Sequence, residues 1–598
     1  MTYEELLQEP ASKKILFVEI DTPIVLTWIN EGPGLWGSRV TPGNQLIEDD
    51  NGNFGYWGNQ NTQFYNIGSL NVNGELYTQV FSISDWETTN KSWYYDKTTT
   101  DFKIHLDGYN PPELFNIISP GAILGFTDQI DSTTDNYFDG VYYMPLVRSV
   151  PNLSKKKDAL FFGLLQYQGG LIGFDNAHGE FDNFSNLDLY GQPVRIKMSF
   201  EGLDFSQANL AYTGRVGEFS SPNFTQFNLR IADIREFLSR KLPINSFNKT
   251  DYPSISDSLV GVPIPISFGP SIKAPAYKTS SGNWTFYDDE FLTVDSGITV
   301  YRADDSIFSH GGTETDGTFT GTDTDEQLTV SYNVSKKNGL NVISFIIENY
   351  ENIEFNSSNY DLTEWNNELV NVSDIGYWFG RGNLKTAADL IQQVCGDNQG
   401  IFDVLADGRF TFRTLDKDKE PVTVYEQDEI IGDPSRKNPT KEVLSSVKVE
   451  YSRDLKTKEA EIFTNLDYQK SVYARFQRYK ERSYKTALTN EIDAETLSVK
   501  ILDLSQNVLP EFTLLTKTQK LGVRILDNAA YTYKRIQGDD IIPLSSYQVI
   551  GLNLNLTAYQ ITSTISYLKE LPSEPSAPSD ENGAVYGIDV YGIDVYGL

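Results

Sequence analysis

The residues that most often carry nucleophilic or metal chemistry are scarce and scattered in this sequence. Its three histidines, His105, His178 and His310, fall in a predicted strand, a turn and a polar loop, and no pair has metal-ligand spacing. The one cysteine, Cys395, excludes an intrachain disulfide framework and a cysteine-cluster metal site. No Gly-x-Ser-x-Gly elbow, phosphate loop or dinucleotide-binding unit is present. We therefore expect no catalytic residue, no cofactor, no metal and no enzymatic activity.

Acidic clusters are the remaining candidates for chemistry. Asp288-Asp289-Glu290 and the group Asp323, Asp325 and Glu326 could supply paired carboxylates to a glycosidase or oxygen ligands to calcium. In a chain with 82 acidic residues, such neighbours are also expected from composition alone. The run Asp49-Asp-Asn-Gly-Asn53 resembles a calcium loop, but Phe54 stands at the sixth position, where the sharp turn needs glycine.

Charge and hydropathy exclude two kinds of partner. The formal net charge of −33 argues against specific nucleic-acid binding, which needs clustered Lys and Arg. The same charge would keep DNA from sticking to a conduit, or would only keep a large protein in solution. No run approaches the roughly 18 to 20 apolar residues of a membrane span, so we expect no stable membrane insertion. The acidic N-terminus lacks the basic start of a secretory signal, which predicts folding in a cytoplasm.

Length and composition predict a multidomain, mostly β chain with minor α structure. At roughly 150 residues per domain, 598 residues suggest about three to five domains. The 35 Tyr, 34 Phe and 45 Gly favour strands and the turns between them. Five of the eight tryptophans lie before residue 100, where they could form a buried core or an exposed aromatic surface for a partner or a sugar: Trp28, Trp36, Trp57, Trp86 and Trp93.

Alternating apolar and polar residues predict strands at several places. The clearest sets are Phe102, Ile104 and Leu106; Val194, Ile196 and Met198; and Phe227, Leu229 and Ile231. An Asn-Gly pair at 73–74 between two alternating runs predicts a hairpin. Residues 277–360 are again β-like, with an exposed loop or mobile tip at 309–326, and 509–568 forms a further β segment.

Helices are predicted from apolar spacing and capping residues. The predicted helices are a short one over Ile231 to Leu242, ended by Pro243; one over Leu384 to Cys395, capped by Asn383; and one over Glu491 to Leu504, capped by Asn490. The second is followed by two strands within 400–413, hinged at Asp407-Gly408. The Pro- and Ser-rich segment 250–276 is a natural boundary, and 571–583 has the composition of a flexible linker.

After the linker, a five-residue unit repeats through Val585-Tyr-Gly-Ile-Asp-Val-Tyr-Gly-Ile-Asp-Val-Tyr-Gly. Its β-branched and aromatic residues suit strand addition to a partner's open edge, although the repeated glycines would equally suit a frayed end. The candidate docking residues are Val585, Tyr586, Ile588, Val590, Tyr591, Ile593, Val595 and Tyr596.

The segment from Gly170 to Gly269 resembles the tail-hub family of tailed phages, which is related to baseplate hubs and to the hubs of contractile injection systems. The matching runs, in order, are Gly173-Phe-Asp-Asn-Ala-His-Gly-Glu-Phe-Asp, Leu189-Tyr-Gly-Gln-Pro-Val-Arg-Ile-Lys, Tyr212-Thr-Gly-Arg-Val and Leu259-Val-Gly-Val-Pro-Ile-Pro-Ile-Ser-Phe-Gly. The helix and hairpin at 384–413 and the run Gly538-Asp-Asp-Ile-Ile resemble later parts of the same family.

This resemblance implies a structural virion protein without enzymatic activity. It implies a homotrimer in which each chain supplies two β-barrel-like hub domains, so that three chains present six similar surfaces to a hexameric tail-tube or distal tail ring. Such a protein would sit at the virion tail tip, assembled in the host cytoplasm, join the tube to a tip, spike or fibre protein, and close or line the channel used in DNA ejection.

The resemblance and the composition together suggest five parts. They are a β-rich hub domain at 1–165, a second β domain with a short helix at 166–249, a Pro-rich crossing with an acidic β-rich domain at 250–375, an α+β helix-hairpin and barrel-like domain at 376–570, and a flexible tail at 571–598. The alternative function is a tail-associated protein that binds or degrades polysaccharide, using the N-terminal tryptophans and the paired acids.

Overall fold

The computed structural model describes the chain in many short segments before residue 240 and almost continuously after it. The described residues are 14–22, 26–32, 35–40, 45–48, 54–57, 66–67, 70–72, 75–79, 92–96, 101–105, 117–118, 122–128, 137–138, 141–157, 170–177, 179, 181, 189–200, 203, 205–219, 225–232, 238 and 240–570, the last without 296, 313, 438–442, 468, 507–508, 518–519 and 535–539. The candidate docking residues at 585–596, the run 49–53 and Trp86 lie outside them.

Strands dominate the described chain, which confirms the predicted mostly β, multidomain fold class. Before residue 160 they are β1 Lys14–Thr22, β2 Leu26–Gly32, β3 Leu35–Val40, β4 Gln45–Glu48, β5 Phe54–Trp57, β6 Asn66–Ile67, β7 Leu70–Val72, β8 Glu75–Gln79, β9 Ser92–Asp96, β10 Asp101–His105, β11 Ile117–Ile118, β12 Ala122–Thr127, β13 Tyr137–Phe138, β14 Val141–Met144, β15 Val147–Ser149 and β16 Leu153–Lys156. From 170 to 334 they are β17 Gly170–Asp175, β18 Pro193–Phe200, β19 Asn209–Phe219, β20 Gln226–Ala232, β21 Lys241–Leu242, β22 Ile266–Pro275, β23 Tyr277–Ser280, β24 Asn283–Thr285, β25 Thr299–Tyr301, β26 His310–Gly311, β27 Thr318–Gly321 and β28 Thr329–Val334.

The rest of the chain mixes strands with the α-helices. Its strands are β29 Tyr377–Phe379, β30 Lys385–Thr386, β31 Gly400–Val404, β32 Phe410–Thr414, β33 Thr423–Tyr425, β34 Ser435–Lys437, β35 Ser446–Tyr451, β36 Glu461–Asn465, β37 Glu481–Lys485, β38 Glu511–Lys517, β39 Asn528–Lys534, β40 Asp540–Asn555 and β41 Gln560–Glu570. The helices are α1 Gly339–Glu351, α2 Leu362–Glu368, α3 Ala387–Asn398, α4 Gln469–Phe476 and α5 Glu491–Ser505.

Two large sheets organise the molecule. The first has the order β13-β14-β12-β1-β18-β19-β20-β17-β15, with β6 paired to β12. The second has the order β33-β39-β40-β41-β38-β34, and β16 pairs antiparallel with β40. The end strands of each path do not pair with each other in the described parts of the chain. The two predicted barrel-like domains are therefore open sheets rather than closed barrels.

One hydrophobic core joins these two sheets. It contains residues of the first sheet, such as Phe174 and Ile231, together with Ile401 of the helix-hairpin unit and Phe512 and Tyr547 of the second sheet. A second core holds the middle of the chain around α1 and β22, and a third, smaller core lies between α5 and the sheet β36-β35-β37. Burying apolar surface at about 25 cal/mol per Å² makes each shared core resistant to separation.

Most of the local predictions are confirmed. The residues Val194, Ile196 and Met198 are buried on β18, and Phe227, Leu229 and Ile231 are buried on β20. The Asn-Gly pair connects β7 to β8, with Val72 opposite Glu75. Helix α5 begins after Asn490, whose side chain accepts a hydrogen bond from Asp493 N, and the hairpin β31-β32 turns at the predicted Asp-Gly.

Two of the three helix predictions are wrong in part. The predicted helix over 231–242 fails at both described ends, because β20 runs to Ala232 and Lys241–Leu242 pairs with β30. That pairing also holds Lys385 and Thr386 extended, so α3 begins only at Ala387 and its cap is Thr386, in a capping box with Asp389. Asn383, the predicted cap, instead donates to the carbonyl of Trp378.

Residues 277–360 are less uniform than predicted. The apolar stretch at 342–347 belongs to α1, whose buried side chains pack in the second core, so a helix interrupts the predicted β region. Residues 309–326 include β26 and β27, and Phe319 on β27 stacks on Trp284 with ring centroids 5.3 Å apart. Among the described residues of this segment only Gly317 and Phe319 are buried, so the predicted exposed loop carries a short strand pair anchored by Phe319. No helix in the described chain is long and apolar enough to cross a membrane.

Candidate assembly site

Buried ion pairs connect the separate parts of the chain. Lys155 on β16 donates to both carboxylate oxygens of Asp403 on β31 at 2.8 Å, and to the carbonyl of Val404 at 3.0 Å. Both side chains are almost fully buried. Because β16 also pairs with β40, this lysine lies where an N-terminal strand, the helix-hairpin unit and the second sheet meet.

A second buried network lies around Arg413 on β32. Its guanidinium contacts Glu364 of α2 at 3.0 Å and Asp527 at 2.5 Å, and it donates to the carbonyl of Ile525 at 2.9 Å. Arg524 holds the other oxygen of Glu364 at 2.9 Å. Two arginines therefore neutralise two carboxylates at the contact between α2, the hairpin and the segment before β39.

A third network crosses the first sheet. Glu19 on β1 accepts from Arg195 at 2.8 Å, from Lys197 at 2.7 Å and from the hydroxyl of Tyr143 at 2.5 Å. Burial raises the pKa of this carboxyl, but the hydrogen bond from Arg195 and the charge of Lys197 outweigh burial and hold the pKa below its usual value. The carboxylate is thus a fixed link between β1 and β18.

The acidic clusters singled out in the sequence have structural partners. Asp323 and Asp325 both contact Lys278, Glu326 contacts Arg302, and Asn245 donates to Asp288 and Glu290. His310 lies beside Glu314, whereas the side chains of His105 and His178 lie outside the described residues, as do those of Trp28, Trp36, Trp57 and Trp93. Among the described residues, no group of three or more His, Cys, Asp and Glu side chains could hold a metal.

A groove of about 540 Å³ lies between α3 and the outer edge of β37. Asp397 of α3 is buried in it and accepts from the backbone N–H of Ala487 at 2.8 Å and from Gln393 Nε2 at 2.7 Å. Burial raises the pKa of this carboxyl to about 7, although both hydrogen bonds oppose the shift. No motif in the sequence marks this groove. Its local signal is the basic and aromatic run at 469–485, of which Ser483, Tyr484 and Lys485 line the groove.

We expect Asp397→Asn to flatten the pH dependence of stability between pH 5 and 8, because the amide does not titrate; its NH2 group would replace one of the two oxygens that accept from Gln393 and Ala487, which offsets part of the gain at pH 8. The unfolded carboxyl loses its proton near its ordinary pKa, but the folded one keeps it until about pH 7. The folded state therefore binds more protons in this window, and stability falls as pH rises. Urea unfolding at each pH measures the effect. Asp428→Asn, at an exposed site, is the control, and parallel profiles for the Asp397 variant and the parent would contradict the expectation.

No family model and no curated protein matches the chain. Solved structures that resemble it include tail proteins. The 43 kDa tail protein of prophage MuSo2 from Shewanella oneidensis is 10% identical, with a TM-score of 0.36 over 73% of this chain and 97% of that one. The tail protein from Neisseria meningitidis MC58 is 10% identical, with a TM-score of 0.34 over 70% and 95%. Prophage tail protein gp18 from Listeria monocytogenes EGD-e is 10% identical, with a TM-score of 0.32 over 70% and 88%.

Proposed function

We propose that this chain is a structural protein of a phage-type tail tip, a tail hub located in the virion and without enzymatic activity. The observation that carries the proposal is the placement of the segment 170–269, whose sequence resembles tail hubs. Four strands of that segment lie side by side in the order β18-β19-β20-β17, and the last matching run leads into β22. Three of the matching runs thus fall on β17, β18 and β19 of one sheet, and the fourth leads into the next core.

The last glycine of those runs has a physical reason to be glycine. Gly269 has a φ of +65°, and a Cβ atom there would lie 2.0 Å from the carbonyl oxygen of Ile375. Any other residue would combine backbone strain with a clash against main chain. The Phe-Gly pair that ends the matching run therefore belongs to the contact between β22 and the segment before β29, which supports a shared architecture rather than a chance match.

The buried ion pairs support a scaffold role. The Lys155–Asp403 pair and the Arg413 network join segments that are far apart in sequence, and the common core prevents the two large sheets from separating. A protein that carries load between a tube and a tip needs this rigidity. The candidate acids, by contrast, are held by lysine, arginine and asparagine rather than arranged as a carboxylate pair around an open cavity.

We further propose the finer role that the resemblance implies. Three copies form a symmetry adapter between the hexameric tail tube and the tip, spike or fibre proteins, and they close or line the DNA channel. The five-part division at 165, 249, 375 and 570 belongs to this proposal. Large permanent interfaces and hidden strand edges are the physical means by which β domains join around such a ring.

Mass photometry and cryo-electron microscopy of the purified full chain test the role. We expect a trimer that co-assembles with the tail-tube protein of the same virion. A monomer that ignores the tube protein and binds or cleaves polysaccharide would instead support the carbohydrate-active alternative.

The C-terminal repeat is proposed to attach a tip or fibre protein. Deleting residues 583–598 should leave the chain folded, because the shared cores are built from residues before 570. The deletion should weaken capture of the tip or fibre protein in a pull-down from assembled tails. Unchanged capture by the shortened chain would remove the docking role from residues Val585 to Tyr596.

A further inference from the structure

The outer edge of β37 borders a groove rather than another described strand. In the sheet β36-β35-β37, β37 pairs in parallel with β35 on one side and has no second strand neighbour among the described residues. Helix α3 closes this edge only at its end, where Gln393 Nε2 donates to the carbonyl of Lys485 at 3.0 Å and Asp397 accepts from Ala487 N. The groove of about 540 Å³ runs beside the same residues and includes Ser483. An open edge beside a groove can take an extended peptide.

The surroundings of this edge are basic, although the chain as a whole is strongly acidic. Residues 469–485 contain six basic residues and one acidic residue, a net charge of +5, in a protein of net charge −33. The one acid, Glu481, is already paired with Lys448 of β35 at 2.7 Å. Lys470, Arg478 and Lys485 are exposed. The α3 wall of the groove carries Asp389 and Asp397, so an acidic occupant is matched on the opposite side, by these three exposed bases.

Aromatic and polar groups add to the match. Tyr473 and Tyr479 stack with ring centroids 4.4 Å apart and remain 39% and 60% exposed, so an aromatic surface lies just before the start of β37. Inside the groove, Trp378 is only 7% exposed, and its indole Nε1 has no acceptor among the described residues. Because that nitrogen is itself buried, Trp378 offers a docked peptide the surface of its ring rather than a hydrogen-bond donor.

The C-terminal segment 571–598 has the complementary composition. It carries the five acidic residues Glu574, Asp580, Glu581, Asp589 and Asp594 and no basic residue. Its repeat places tyrosine and β-branched residues five apart, which suits a strand that contacts an aromatic surface.

The described body ends close to the basic edge. The backbone N–H of Tyr567, near the end of β41, donates to the carbonyl of Pro510. Arg475 of α4 donates at 3.4 Å to the carbonyl of Gln506, four residues before Pro510. A fully extended linker from 571 to 584 spans at most about 45 Å. The linker is therefore long enough for the repeat to pass α4, the helix that precedes β37 in the chain.

We propose that the C-terminal segment 571–598 of the same chain docks along the outer edge of β37, in the groove beside α3, with its acids facing the exposed Lys470, Arg478 and Lys485. The inference does not depend on the proposed function. A tip or fibre protein that binds the repeat would displace it from β37. The β37 edge would therefore bind the repeat only before assembly.

Cysteine cross-linking in the full chain tests the proposal. The test variant combines Ser483→Cys on β37 with Val590→Cys in the repeat. The matched control combines the same Val590→Cys with Thr464→Cys, an exposed site on β36 at the opposite edge of the sheet. Because neighbouring strand residues face opposite sides, the pair is repeated with Tyr591→Cys. Native Cys395 is buried and does not compete.

We expect mild oxidation to form an intramolecular disulfide at least fivefold more efficiently with Ser483→Cys than with Thr464→Cys, as read by non-reducing gels and peptide mass spectrometry. Adding Arg478→Glu, or 0.5 M salt, should reduce that yield severalfold, because the acids would lose their attraction. Equal yields at both edges, or disulfides only between chains, would overturn the proposal. The proposal would also be overturned if no cross-link formed and only added DNA protected Ser483→Cys from alkylation. That result would assign the basic edge to nucleic acid.

Discussion

Lys155→Met should lower the free energy of unfolding by about 3 to 5 kcal/mol, because it leaves the carboxylate of Asp403 buried without its ammonium partner. Methionine fills nearly the same volume, so the loss reports the charge rather than a cavity. Urea unfolding of the full chain, followed by tryptophan fluorescence, measures the change.

The next residue along the strand provides the control for this experiment. Lys156 is exposed on β16, and Lys156→Met should change stability by less than about 0.5 kcal/mol. The double variant Lys155→Met with Asp403→Leu should recover most of the loss, since replacing both members of a buried pair by apolar residues is often nearly neutral. If Lys155→Met lowers the free energy of unfolding no more than Lys156→Met does, the Lys155–Asp403 pair does not hold β16 to β31.

Arg413→Met is expected to cost a similar amount, about 3 to 5 kcal/mol. The variant removes the guanidinium that contacts both Glu364 and Asp527, and it leaves the carbonyl of Ile525 without that donor. Arg524 still holds Glu364 at 2.9 Å, which limits but does not cancel the loss. Chemical denaturation again gives the free energy.

Arg409→Met on the same hairpin is the control. Arg409 pairs with Asp407 in a partly exposed turn at 2.7 Å, and a pair of this kind contributes at most about 1 kcal/mol. If Arg413→Met, like Arg409→Met, lowered the free energy of unfolding by about 1 kcal/mol or less, the Arg413 network would be solvated in solution. It would then not lock α2 and the hairpin to the segment before β39.

The sequence by itself determined those elements whose signal is local. Alternation predicted β18 and β20 because a strand with one buried face repeats every two residues. The Asp-Gly turn predicted β31-β32, and Asn490 predicted the start of α5, because turn and cap preferences depend on only a few neighbouring residues.

The tertiary structure alone decided what depends on distant partners. Helix α3 starts late because β30 pairs with β21, far earlier in the chain. Lys155 and Asp403 are 248 residues apart, so nothing near either residue marks it as half of a buried pair. The groove beside β37 likewise exists only because α3 packs against the edge of another unit. A sequence states each residue's own preferences, whereas the pairing of strands, charges and edges is chosen by the packing of the whole chain.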